Sequence, residues 1–179
     1  MAEGLERIII DEASLRKRVD ELGAELTRDF RDKDPLFVGI LKGCFIFMAD
    51  LMRATDMRCT MDFMAVSSYG NGVTSSGSVK ITRDLSQDIT GRHVIIVEDI
   101  LDSGITLSYL RSYLNFRNPA SISIVTLLDK PYHRRADIEA DYVGFKVEDA
   151  FIVGYGLDYA EEYRNLPYIG VLSPSVYEK

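Results

Sequence analysis

At 179 residues, 46% of them hydrophobic, the chain has the length of one domain and enough apolar material for a sizeable core. A formal net charge of −7 leaves no basic excess for coating nucleic acid, but a small phosphorylated ligand could still be held by local donors and a metal ion. Two cysteines, Cys44 and Cys59, make neither a disulfide framework nor a CxxC zinc pair, and no apolar run approaches the roughly 20 residues of a membrane span; with no visible signal peptide, a cytoplasmic protein with reduced thiols is expected.

Asp11 is placed to cap a helix whose apolar positions Leu15, Val19, Leu22, Leu26 and Phe30 recur at helical spacing. A polar stretch ends at Pro35, and Leu36–Leu41 reads as a buried strand. Lys42-Gly43 breaks it, and a helix is predicted from about Phe45 to Arg53. Further strands are predicted at 60–67, 79–83, 93–98 and 121–128. Between the last two lies a helix carrying Ile105, Tyr109, Leu110, Tyr113, Leu114 and Phe116. Strands alternating with helices imply right-handed crossovers and a parallel sheet covered on both faces. From Asp141 onward the pattern changes to short apolar strands with many glycines and tyrosines. A small lobe over one end of the sheet is expected there, joined by the N-terminus, with the core at about 10–140 and the whole chain one domain. The Gly/Ser-rich stretch 69–78 is either a lid or an idle loop.

The most informative segment is 94–106, Val-Ile-Ile-Val-Glu-Asp-Ile-Leu-Asp-Ser-Gly-Ile-Thr. A buried strand ends in two acids, a turn of small residues follows, and a helix begins. Ligands bind at the C-terminal ends of strands in such sheets. The turn Asp102-Ser103-Gly104-Ile105-Thr106 offers backbone N–H groups at a helix N-terminus and two hydroxyls, a seat for a phosphate dianion. Glu98 and Asp99 are placed to accept hydrogen bonds from ribose-like hydroxyls. The plainer alternative is a capped helix after an ordinary turn. No GK[ST] follows a glycine at the spacing a Walker A loop requires.

This segment resembles the phosphoribosyl pyrophosphate motif of type I phosphoribosyltransferases: four hydrophobic residues, two acids and a D-[ST]-G-x-T turn. The wider pattern resembles the hypoxanthine-guanine branch of that family. Leu41-Lys42-Gly43 is similar to its pyrophosphate loop, and Ser67-Ser68-Tyr69-Gly70 to the start of its mobile catalytic loop. Leu127-Leu128-Asp129-Lys130 and the run from Phe151 to Tyr159 are similar to its purine-site signatures, and Arg164 falls where the family has a pyrophosphate-contacting arginine.

The resemblance implies an α/β phosphoribosyltransferase fold with a hood lobe, and transfer of a phosphoribosyl group to a 6-oxopurine in purine salvage. It implies that residues 102–106 hold the 5-phosphate, that Glu98 and Asp99 bind the ribose with Mg2+, and that Asp158 holds a second Mg2+. It further implies pyrophosphate contacts from Lys42, Gly43 and Arg164, often with a cis peptide before the lysine. Asp102 would take the proton from purine N7. Lys130 would donate to the 6-oxygen, Phe151 would stack on the base, and the main chain of Ile152 and Asp158 would read its other edge. Ser68 and Tyr69 would close over the reaction. A homodimer or homotetramer is the family habit, with small molecules as the partners and neither nucleic acid nor membrane. Without the resemblance, Lys42 reads equally as a strand-end cation, Phe151 as core and Lys130 as a loop cation. Cys44 and Ile105 are mild departures from the family pattern; His93 and His133 receive no role. Two alternatives remain: a xanthine-preferring sibling, and a non-catalytic regulator that senses the sugar phosphate.

Overall fold

The computed structural model describes residues 2–68 and 79–178. In chain order its elements are β1 (Leu5–Ile10), α1 (Glu12–Phe30), β2 (Leu36–Leu41), α2 (Phe45–Ala54), β3 (Thr60–Ser68), β4 (Val79–Arg83), β5 (His93–Leu101), α3 (Ile105–Asn115), β6 (Ser121–Asp129), β7 (Tyr142–Lys146), β8 (Ile152–Val153), β9 (Ile169–Leu172) and α4 (Pro174–Tyr177).

Six strands form the main sheet in the order β4-β3-β2-β5-β6-β7. All neighbouring pairs are parallel except β3 and β4, so the expected parallel sheet carries one antiparallel edge strand. Side chains alternate across it as the pleat requires. Phe37, Ile95, Val97 and Val125 point to the face covered by α1 and α2, where they meet Leu15, Leu22, Leu26, Phe47 and Leu51. Leu36, Val38, Ile40, Val94 and Ile96 point to the other face, against Leu107, Leu110 and Leu114 of α3. The sheet is thus buried on both sides, which explains why its strands read as unbroken apolar runs.

The chain leaves β2 through α2 to β3 on one side, and leaves β5 through α3 to β6 on the other. Between β2 and β5 the winding reverses. Such a switch point opens a crevice at the C-terminal strand ends.

Three details depart from the sequence reading. β5 does not end at its acids but runs two residues past Asp99 to Leu101. α3 stops at Asn115 and buries Leu107, Leu110 and Leu114, while Phe116 is 86% exposed beyond its end. Residues 142–146, read as the start of the small lobe, instead form β7 at the edge of the main sheet. The lobe itself is a three-stranded antiparallel sheet, β1-β9-β8, with a small core of Leu5, Val153 and Leu172.

Asp11 caps α1 as expected, its Oδ1 accepting from Ser14 N at 2.7 Å. Asp11→Ala is expected to lower the stability of the fold by removing this cap. Urea unfolding should show a lower midpoint with an unchanged slope.

Candidate active site

The C-terminal ends of β2, β3, β5 and β6 bring four separate sequence motifs to one edge of the sheet: 41–43, 67–68, 98–106 and 127–130. A cleft of about 350 Å³ opens there, lined by Leu41, Gly43, Glu98, Asp99, Asp102 and Thr106 among others. A larger hollow of about 630 Å³ lies between α1, α2 and residues 165–167, but holds none of these motifs. Chemistry rather than size selects the site.

Gly43 and Asp99 meet across the switch point. A Cβ on Gly43 would lie 1.6 Å from Asp99 Oδ2, so only glycine lets the chain after β2 pass the acid. The Leu41–Lys42 peptide is cis, as the resemblance implied. Cys44, the departure from the family pattern, is fully buried. Burial, together with the charges of Glu98 and Asp99, pushes its thiol pKa upward, so it stays protonated.

Glu98 and Asp99 are adjacent acids within a strand. Glu98 Oε2 is buried without a hydrogen-bond partner among the described residues. Desolvation, reinforced by the neighbouring Asp99 charge, raises the Glu98 pKa well above the ordinary carboxylate value. Asp99 is also raised, chiefly by desolvation; the hydrogen bond from Ile100 N (2.8 Å) and the Arg164 charge work the other way. Two oxygen-donor acids and an orphaned carboxylate oxygen fit a hard divalent cation. Among the described residues no cluster of three or more potential ligands occurs, so such an ion would draw its remaining ligands from substrate or water.

The turn after β5 is held from behind. Arg134 donates through Nε to Asp102 O (2.8 Å), through Nη2 to Leu101 O (3.2 Å) and through Nη1 to Ile138 O (2.7 Å), and it pairs with Asp129. The N–H groups of Arg135 and Ala136 both donate to Ser103 O. With its carbonyls engaged on that side, the turn reaches α3 through Gly104 at φ +77°, where an added Cβ would lie 2.6 Å from Ile138. Gly104 gives α3 no side-chain cap; apart from Ile105 N, which reaches Ser103 Oγ at 3.5 Å, the first-turn N–H groups have no side-chain partner among the described residues and are left to an anion. Sequence reading missed Arg134. Three consecutive loop carbonyls need donors, but nothing in the spacing says which residue supplies them.

Lys130 Nζ lies 3.9 Å from Asp102 Oδ2, 3.3 Å from Asp149 Oδ1 and 3.4 Å from Ala150 O. Asp149 also takes His133 Nε2 at 2.9 Å, so His133 is tied to the lysine's partner rather than isolated. Asp102 Oδ1 is buried without a partner among the described residues. Phe151 is not core: it is 38% exposed, stacked on Tyr177 at 5.0 Å and edge-on to Tyr159. Ile152, next to it in β8, is buried. Asp158 pairs with Arg164 Nη2 at 2.8 Å and accepts from Glu161 N at 2.9 Å. Lys42 Nζ lies 3.1 Å from Glu161. Ser68 closes β3; Tyr69 and the stretch 69–78 lie outside the described residues.

Against known families, residues 9–160 match the model of the phosphoribosyl transferase domain. The chain belongs to that family. Among relatives of this phosphoribosyl transferase is a Bacillus subtilis protein named hypoxanthine-guanine phosphoribosyltransferase, 59% identical and covering 99% of each chain. A Listeria monocytogenes bifunctional protein, TilS/HprT, is 53% identical over all of this chain but only 28% of its own length. A crystal structure of a Staphylococcus aureus hypoxanthine phosphoribosyltransferase superposes with a TM-score of 0.95 at 50% identity, covering 98% of this chain and 96% of that one.

The raised Glu98 pKa carries a sign. A carboxyl whose folded pKa exceeds its unfolded value weakens the fold as pH rises through that interval and above it. In chelator-containing buffer, Glu98→Gln should therefore raise the melting temperature at neutral pH. The gain should fade as pH falls into the ordinary carboxylate range. Equal melting curves at pH 7 would remove the desolvated charge from the account.

Proposed function

We propose that the protein transfers the 5-phosphoribosyl group of phosphoribosyl pyrophosphate to N9 of hypoxanthine or guanine, giving IMP or GMP and pyrophosphate in purine salvage. The observation that carries this reading is the meeting of Asp102 and Lys130 above the turn at 102–106, beside Glu98 and Asp99. The crevice lined by Glu98, Asp99 and the 102–106 turn, with Lys130 beside Asp102, supports an anion seat, a ribose-binding acid pair and a base-reading lysine.

Breaking the anomeric bond develops positive charge on the sugar and negative charge on the departing pyrophosphate, so positioning and electrostatics do most of the chemistry. Asp102, Ser103, Gly104, Ile105 and Thr106 hold the 5-phosphate through N–H and hydroxyl groups. Glu98 and Asp99 fix the ribose hydroxyls and are the residues that would hold Mg2+, which when bound neutralises charge on the pyrophosphate. Asp158 would hold a second ion only by sharing oxygens now bonded to Arg164 and Glu161. Lys42, the Gly43 backbone and Arg164 face the leaving group; Arg164 Nε is a buried donor with no partner among the described residues. Phe151 stacks on the base, Lys130 donates to its 6-oxygen, and the main chain of Ile152 and Asp158 reads the opposite edge. Ser68 and Tyr69 close over the site and keep water from the sugar cation.

Several broader features belong to the same reading. The two sheets act as one phosphoribosyltransferase unit, assembled as a homodimer or homotetramer in the cytoplasm. Its partners are small molecules rather than nucleic acid or membrane. Among the described residues no helix is long and apolar enough to cross a membrane.

Asp102, with one oxygen orphaned and the other facing Lys130, is the group that takes the N7 proton. General-base removal lowers rates by about 10²–10⁴-fold. Asp102→Asn should lose turnover in that range with an unchanged circular dichroism spectrum; near-normal turnover would defeat the assignment. Lys130→Ala should raise KM for hypoxanthine and guanine more than KM for phosphoribosyl pyrophosphate. An equal rise in both would remove Lys130 from base recognition.

A further inference from the structure

The turn at 159–162 is built in an unfavourable way. Tyr159 N donates to Glu162 O at 3.3 Å and Glu162 N to Tyr159 O at 2.9 Å, closing a two-residue hairpin around Ala160 and Glu161. Both central residues have positive φ, +51° and +68°. Turns of that form favour Asn-Gly, because side chains with a Cβ are strained in the left-handed region. Strain of this kind, kept at a non-glycine residue, points to a use for its side chain.

The Glu161 side chain has such a use. Both of its carboxylate oxygens lie 3.1 Å from Lys42 Nζ, and Oε2 lies 3.3 Å from Arg164 Nη2. Lys42 comes from the loop after β2 and Arg164 from the small lobe, so one carboxylate bridges two cations from separate parts of the fold. The other anion at Arg164 is Asp158, at 2.8 Å. Hydrogen bonds from Lys42 and Arg164 hold the Glu161 carboxyl below its usual range. Glu161 and Lys42 are both mostly exposed, with 63% and 68% of their side-chain surface accessible, so the contact is weak enough to exchange.

We propose that Glu161 is an internal competitor for the pyrophosphate group: its carboxylate takes Lys42 and Arg164 whenever pyrophosphate does not, sets the affinity of the site for that group, and hastens its release. The inference rests on the reading of Lys42 and Arg164 as the pyrophosphate-facing cations. A cation engaged by an internal anion binds an external one with an affinity reduced by the fraction of time it is free.

The test compares the full-length protein with Glu161→Gln, Glu161→Gly and Glu162→Gln, all in Mg2+. Glu162→Gln is the control: it removes the same charge from the same turn, and among the described residues Glu162 makes no ion pair. Glu161→Gln and Glu161→Gly should each lower the pyrophosphate dissociation constant and the KM for phosphoribosyl pyrophosphate by roughly twofold to fivefold. Base KM should stay unchanged, and the difference should shrink as salt is raised. Because glycine suits φ +68° and glutamine does not, agreement between the two variants separates charge from backbone strain. Calorimetric titration of the unaltered protein with pyrophosphate keeps the layers apart. Failure of the unaltered protein to bind pyrophosphate overturns the underlying reading and this proposal with it. Binding by the unaltered protein, with Glu161→Gln no tighter than Glu162→Gln, overturns the proposal alone.

Discussion

Gly43 passes the Asp99 carboxylate so closely that no Cβ fits between them. This contact joins the two halves of the sheet where its winding reverses, and the rest of the site is arranged around it. The loop after β2 is fixed beside the acids of β5 because a glycine lets it lie there. The next residues of β5 then lead directly into the turn that ends at Gly104. The Lys42-Gly43 loop and the turn at 102–106 therefore sit on neighbouring strands, and under the proposed function they would serve the two phosphorylated ends of one extended ligand.

The arrangement has a cost, which sits on Glu98 and Asp99. Both acids of this buried strand are raised in pKa by desolvation, and Glu98 also by the neighbouring Asp99 charge; Glu98 Oε2 has no partner among the described residues. Apolar burial on both faces of the main sheet supplies the stability that offsets this. Under the proposed function these carboxylate oxygens stay unpaired for a cation and a sugar phosphate, and stability would yield to function at those positions. Arg134 shows the opposite solution: its guanidinium makes four hydrogen bonds, to Leu101 O, Asp102 O, Ile138 O and Asp129, and so holds the turn at 102–106 from behind.

Much of the main sheet was legible because its strands are buried on both faces. Leu36–Leu41 and Val79–Arg83 appear with the bounds expected, and the Leu15-to-Phe30 stripe forms the buried face of α1. Less legible were features that depend on distant partners. β1 was not anticipated, because its partner β9 lies about 160 residues away and its register is broken by bulges. β7 was assigned to the lobe because four of its five residues are half-buried, with Lys146 exposed, and they carry no alternation strong enough to place them. Phe116 was expected on the helix face, whereas its helix ends one residue earlier. Lys42, Glu98, Asp99, Asp102 and Lys130 fell at or next to the C-terminal ends of β2, β5 and β6 because the motifs carried them there. The partners of those residues, Arg134, Asp149 and Glu161, were not legible, since a charged residue on a loop carries no sign of what it will meet.

The central claim is phosphoribosyl transfer to a 6-oxopurine, and one assay addresses it directly. Phosphoribosyl pyrophosphate and Mg2+ are supplied with hypoxanthine, guanine, xanthine or adenine in separate reactions, and nucleotide is measured. The account predicts nucleotide from hypoxanthine and guanine and none from adenine, whose 6-amino group offers Lys130 no acceptor. Nucleotide from adenine in preference, or from no base while phosphoribosyl pyrophosphate still binds, would contradict it.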